Sequence, residues 1–258
     1  MLRTGRTIAT ISVLSTLLAC SGTDLVAPSD RATNEGAVAD AAQRGDPGRV
    51  ERENRFNLTP RLFGNADTTR SCLAEGTQFG DWHVRYHGYG CVGLESVNGR
   101  TTLYMAPTQA MHGDATHAPL AVGPEHGDRL TLRASFETLH HMRHVGAPNP
   151  WEVAWLVWHF HDDEHFYYFI PKPDGWELGK RDPAYPGGQR FLATGTERTF
   201  PIGRVYSVTV QQRGTLMTVF VDGQQVVQFR DAERPYRSGR VALYSEDAAI
   251  RVYDVASL

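Results

Sequence analysis

From residue 70 onward, apolar and polar positions alternate with a period of two. Leu130, Leu132, Ala134 and Phe136 interleave with Thr131, Arg133, Ser135 and Glu137, the pattern of a strand with one face in a core and the other toward water. Tyr206, Val208 and Val210 alternate with Ser207, Thr209 and Gln211. The run from Thr215 to Val221 meets Asp222-Gly223 before Gln224 to Phe229, and Asp-Gly between two such runs predicts a hairpin because both central residues of a type I′ turn need positive φ. Further strands are predicted over 81–86, 101–105, 118–122, 151–161, 165–170, 176–181, 240–245 and 250–255, and no helix is predicted after residue 70. So many short strands joined by Gly, Pro and Asp turns imply two packed antiparallel sheets or a closed barrel.

The pattern before residue 70 is different. Arg3 and Arg6 precede an apolar run from Ile8 to Leu18 that ends in Leu17-Leu18-Ala19-Cys20. That run is too short to span a bilayer and reads as a secretory signal over 1–19. The end of the run resembles the bacterial lipoprotein signal, in which Cys20 is lipidated; the other reading is an ordinary signal peptide. With Ser21 following, the resemblance implies an outer-membrane anchor, so that contact with the membrane is through the lipid only. Residues 20–69 are polar, with apolar residues too scattered to build a face, and are expected to form a flexible tether to a domain over 70–258. Cys72 and Cys91 then remain as an even pair in an oxidising compartment, where a disulfide is expected and two buried free thiols are the alternative.

Charge narrows the partners. There are 26 Lys and Arg against 29 Asp and Glu, a net charge of -3, with no basic run, which excludes a nucleic-acid binder of the usual basic-faced kind.

Candidate chemistry concentrates in Trp151 to Arg181, where four of the five tryptophans lie beside Tyr167, Tyr168, Lys172, Glu177 and Lys180. Aromatic rings among carboxylates and ammonium groups suit stacking on sugar faces. Strand parity divides the set: Trp151 and Trp155 share one face with His159 and His161, and Trp158 shares the other with Glu152. Trp158 is the stacking residue if the second face is concave. If neighbouring strands oppose them, Glu152 and Glu177 form an acid/base pair and Lys180 steadies an anion. His159 and His117 are further proton carriers. Trp155, Trp176 and Lys172, with Tyr185 and Arg190 from the Pro/Gly-rich stretch 182–188 and its border, complete the expected substrate-binding set.

The hairpin Tyr206 to Gly223, then Gly239-Arg240-Val241-Ala242-Leu243-Tyr244 and the closing Arg251 to Val255, resemble the C-terminal half of concanavalin A-like lectin/glucanase jelly rolls. That superfamily includes laminin-G-like modules, family 16 glycoside hydrolases and the 3-keto-disaccharide hydrolase group. The resemblance covers residues 78–258 and implies an all-β, two-sheet antiparallel jelly-roll sandwich with poly- or oligosaccharide lying across a concave face. It also implies one structural calcium, with Asp254 and Asp81 in comparable positions. Neither Glu-x-Asp-x-Glu nor Glu-x-Asp-x-x-Glu is present, so the family 16 mechanism lacks its carboxylates. A hydrolase or 3-keto-glycoside lyase, a non-catalytic glycan-binding module, and a laminin-G-like module that binds protein all stay open.

Overall fold

The computed structural model describes residues 70–112 and 115–258; the signal, Cys20 and the tether lie outside the described residues. In chain order the strands are β1 (Ser71–Cys72), β2 (Gln78–Phe79), β3 (Trp82–His87), β4 (Cys91–Val97), β5 (Arg100–Ala106), β6 (Pro119–His126), β7 (Arg129–His141) and β8 (Ala154–Asp162). They continue with β9 (His165–Lys172), β10 (Gly175–Arg181), β11 (Gln189–Gly195), β12 (Val205–Arg213), β13 (Leu216–Val221), β14 (Gln224–Arg230), β15 (Gly239–Ser245) and β16 (Ala248–Ser257). The helical content among the described residues is the short 3-10 turn Pro186–Gly188, and none of their helices is long and apolar enough to cross a membrane.

The strands form two eight-stranded sheets, ordered β1-β4-β5-β16-β7-β12-β13-β14 and β11-β10-β9-β8-β15-β6-β3-β2. Each neighbouring pair is antiparallel. This is the two-sheet sandwich. Its core holds Leu132, Phe136, Val208, Val219, Ile250 and Val252 from the first sheet against Val84, Leu156, Trp158, Phe169, Leu178 and Leu243 from the second. The first sheet buries alternate residues: β7 has buried Leu130, Leu132, Ala134 and Phe136 with less buried or exposed neighbours between them, as a strand with one wet face requires.

The second sheet does not. Ala154 through Phe160 of β8 are all buried, as are Tyr167 through Pro171 of β9 and Gly175 through Lys180 of β10. Side chains on the face turned away from the first sheet form a second cluster of Leu120, Val122, Trp155, Val157, Phe160, Tyr168, Ile170, Ala242 and Tyr244. A sheet buried on both faces reads as a nearly continuous apolar run, and this accounts for the tryptophan-rich stretch of the sequence.

Asp222 and Gly223 turn β13 into β14 with φ of 52° and 78°, as the Asp-Gly signal predicts. Asp163 and Glu164 make the turn between β8 and β9. Cys72 and Cys91 are joined, with their Cα atoms 5.2 Å apart, so that the short β1 is pinned where it pairs with β4.

Candidate functional site

The outer face of the second sheet is organised in rows across the strands. In one row Trp155 pairs with Tyr244, Tyr244 with Leu120 and Leu120 with Tyr86. The next row runs Gly179, Tyr168, Val157, Ala242, Val122 and His83. Trp155 lies between Tyr168 and Tyr244, with ring centroids 4.9 and 5.1 Å away, and its indole N–H donates to the Trp151 carbonyl at 2.8 Å. Trp151, Tyr86 and Phe166 pack at the margins of this cluster and are partly buried.

Both tyrosines end on carboxylates. Tyr168 donates to Glu177 Oε1 at 2.8 Å and Tyr244 to Glu246 Oε1 at 2.8 Å. Gln189 from β11 donates to the Tyr168 hydroxyl at 2.5 Å, and Lys172 Nζ is 3.5 Å from Glu177 Oε2. Burial raises Glu177 above the ordinary carboxylate range against the opposing pull of Tyr168 and Lys172. Glu246 is raised to about 7, first by burial and then by the neighbouring charges of Asp247 and Glu152. The two phenols are pushed well above their usual range, again first by burial and then by the carboxylates beside them.

Beside Glu246 lies a buried ion cluster. Arg143 binds Glu152 Oε1 at 2.5 Å and Asp247 Oδ2 at 3.1 Å. Asn149 also donates to Glu152 Oε1, at 2.7 Å, and the backbone N–H of His117 donates to Asp247 Oδ1 at 2.9 Å. These bonds tie the loop before β6 and the loop between β7 and β8 to the β15–β16 turn. The second oxygen of Glu152 is buried without a hydrogen-bond partner.

Of the residues expected from the sequence, Glu177, Lys172 and Trp155 meet on this face. Trp158 does not: it is fully buried between the sheets, its indole donating to Gln212 at 2.7 Å, which corrects its choice as the stacking residue. Trp176 is corrected likewise, stacked on Phe169 in the core with its N–H on Glu197 at 2.6 Å. Glu152 does not oppose Glu177, because it precedes β8 and β9 runs between β8 and β10. Lys180 projects to the other side of β10 from Glu177 and is fully buried, held by Asp231 at 3.0 Å and the carbonyls of Glu233 and Arg234 at 2.9 and 2.7 Å. Three residues apart on a strand means opposite faces, so Lys180 fastens residues 231–236 and is not placed to steady an anion beside Glu177.

His159 departs from parity for a local reason. Its φ is 47° and the β8–β9 register is irregular between Trp158 and Asp162, so the bulge turns it toward the Tyr236 and Gly127 carbonyls, at 2.9 and 3.2 Å. Burial lowers its proton affinity. A regular count had placed it with Trp155. Arg190 bonds Tyr185 at 3.1 Å and Glu233 at 3.1 Å, and so belongs with the Lys180 fastening. The His117 ring lies on Thr108, with 3.0 Å from Nδ1 to its carbonyl. Asp254 on β16 pairs with Arg133 at 3.4 Å, whereas Asp81 sits in the turn between β2 and β3 at the edge of the other sheet. Among the described residues no group of three or more His, Cys, Asp or Glu is arranged to hold a metal ion.

Tyr168, Tyr244, Gln189 and Glu246 carry much of the face and were not among the expected site residues. Tyr244-Ser245-Glu246 contained the signal: a tyrosine and an acid two apart at a strand end share a face.

The fold is a two-sheet antiparallel jelly-roll sandwich. It is similar to the carbohydrate-binding module CBM66 from Bacillus subtilis with a TM-score of 0.50 and 12% identity, over 69% of this chain and 94% of that one. A Bacillus subtilis protein of galectin-like fold gives 0.47 at 10% identity over 69% and 88% of the two chains. A GH16 protein of a Bacteroides ovatus mixed linkage glucan PUL gives 0.46 at 8% over 65% and 85%. No protein-family model matches the chain, and no curated protein matches it in sequence.

Proposed function

We propose that this domain binds poly- or oligosaccharide on the outer side of its second sheet, against the partly buried Tyr86 and Trp151 that border the buried row of Trp155 and Tyr244. One observation carries the reading: the face turned away from the core is built of aromatic rings whose phenols are tied to Glu177 and Glu246. A merely solvated sheet face would instead carry scattered charges and threonines. Aromatic surfaces beside carboxylates give sugars a stacking plane and acceptors for their hydroxyls, and the CBM66 likeness supports the same reading at the level of fold.

The test is calorimetric titration of the full-length chain with soluble mixed-linkage glucan, xylan and alginate, repeated with Tyr86→Ala and Trp151→Ala. Both residues are only partly buried, so the fold tolerates their truncation. At least one glycan binds, and each substitution weakens it roughly tenfold, about 1.4 kcal/mol. Affinities unchanged by both substitutions, or no binding to any glycan, would leave the face as a second structural core.

A further inference from the structure

We propose that the side chains of Lys180 and Asp231 condense into an amide, a covalent cross-link between the two sheets that the chain forms by itself. The bond is independent of the glycan reading.

The two groups are placed for it. Lys180 lies on β10 of the second sheet and Asp231 follows β14 of the first, 51 residues further along the chain. Both are fully buried, and Lys180 Nζ stands 3.0 Å from Asp231 Oδ2. The rings of Tyr167, Tyr185 and Tyr236 surround the nitrogen at 5.7, 5.7 and 4.9 Å. An ion pair taken out of water recovers little beyond its own desolvation cost, whereas an amide has no charge to desolvate. Residues 231–236 are also held against β10 before any reaction. Tyr236 donates from its hydroxyl to the Arg181 carbonyl at 2.8 Å and from its backbone N–H to the Tyr167 hydroxyl at 3.0 Å, while Arg234 donates to Asp182 at 3.2 Å. Groups fixed in contact in this way meet at an effective concentration that a free amine and carboxylate do not reach.

The hydrogen bonds give each atom a part. Nζ donates to the carbonyls of Glu233 and Arg234 at 2.9 and 2.7 Å as well as to Asp231. When the proton on the Asp231 side passes to Oδ2, the two carbonyls keep the other N–H bonds and the lone pair left behind points at the carboxyl. Nζ then bonds to Cγ, and the second electron pair of the carbon–oxygen double bond moves onto Oδ1. There the backbone N–H of Glu233 at 3.0 Å and the Arg190 guanidinium at 3.5 Å receive the developing charge, as an oxyanion hole does. Asp182, buried with Oδ2 3.8 Å from Nζ, is the base that takes the second proton. It passes that proton to Asp231 Oδ2 as the Cγ–Oδ2 bond breaks, and Oδ2 leaves with the bonding pair as water. The Tyr167 hydroxyl, 2.6 Å from Oδ2, steadies the departing oxygen. Of the three ammonium protons, one stays on the amide and two leave in the water. No cofactor, oxidant or further reactant enters.

The experiment is peptide mass spectrometry of the full-length chain after reduction, alkylation and digestion. Wild type yields a branched peptide in which the segments holding Lys180 and Asp231 are joined, lighter than their sum by one water, with fragmentation placing the bond between those two side chains. Asp222-Gly223 can also shed water by cyclising on its own backbone, so the readout is the joined peptide and not the intact mass. Asp231→Ala and Lys180→Met each abolish the joined peptide. When joining is followed over time after cell-free synthesis, Asp182→Asn slows it by roughly 100-fold, as loss of a general base does. Wild type that yields the two segments only as separate peptides of full mass overturns the inference, and this readout needs no variant to fold. A joined peptide that persists in D231A or K180M overturns it as well, and joining at the wild-type rate in D182N overturns the reaction as written.

Discussion

Gly179 decides where Tyr168 lies. A Cβ at this position would come within 2.1 Å of Tyr168 Cζ and Oη, so the ring can cross β10 only because the side chain is missing. There its hydroxyl reaches Glu177 and receives Gln189. Gly179→Ala should therefore push Tyr168 out of this position, at a cost of about 1–3 kcal/mol for overpacking a filled site. Urea unfolding would measure it, and a double-mutant cycle locates the cause: in a Tyr168→Ala background the cost should nearly vanish. An equal cost in both backgrounds would point to β10 itself. The same local chemistry separates Glu177 from Lys180. Both were legible as functional residue types, but only one shares the face of Trp155.

At the scale of the element, a strand was visible in sequence wherever one face was wet. β7 and β12 alternate cleanly, and Asp222-Gly223 marks its hairpin. β4 and β11 were missed. β4 contains Gly93, where a Cβ would meet the Ser71 carbonyl oxygen at 2.3 Å, so its glycine records the close approach of β1 and interrupts the apolar pattern. β11 presents Phe191 outward, 61% exposed, which scrambles the alternation. Counting along β8 failed at His159 because a bulge, invisible in a single sequence, resets the faces. The candidate face was legible only in part for the same reason: Trp155 and Glu177 lie in a conspicuous run, whereas Tyr244 and Glu246 come from a distant strand that only the sheet order brings alongside. The β1–β4 link yields a further prediction. The Cys72–Cys91 separation of 19 residues implies about 3 kcal/mol of loop-closure stabilisation in the chain-entropy model. Thermal melts with and without reductant should show a lower midpoint when the bridge is open, while the aromatic row on the other sheet keeps its near-ultraviolet signal below the transition. Equal midpoints would mean that the bridge adds no stability.

For the whole molecule, the burial that shapes this face also ties stability to pH. The folded state raises Glu246 to about 7 from an ordinary 4.5, so between those values it holds a proton that the unfolded chain has released. Stability must then fall as pH rises through that window, by on the order of 3 kcal/mol for this group alone. Glu177 and Asp247 are shifted upward as well and act in the same direction. Four histidines oppose them: full burial of His159 and partial burial of His83, His126 and His141 lower their proton affinity, so their contribution is lost as pH falls below the unfolded histidine range. A single stability profile would mix these slopes. The difference between wild type and E246Q does not, because the histidines contribute equally to both and glutamine has no proton to lose. Urea midpoints taken at about pH 5 and about pH 8 should show E246Q gaining on wild type as pH rises, by up to the on-the-order-of-3 kcal/mol that ionising the buried carboxyl costs. A difference that stays flat across the window would mean that Glu246 ionises as easily in the folded domain as in the open chain.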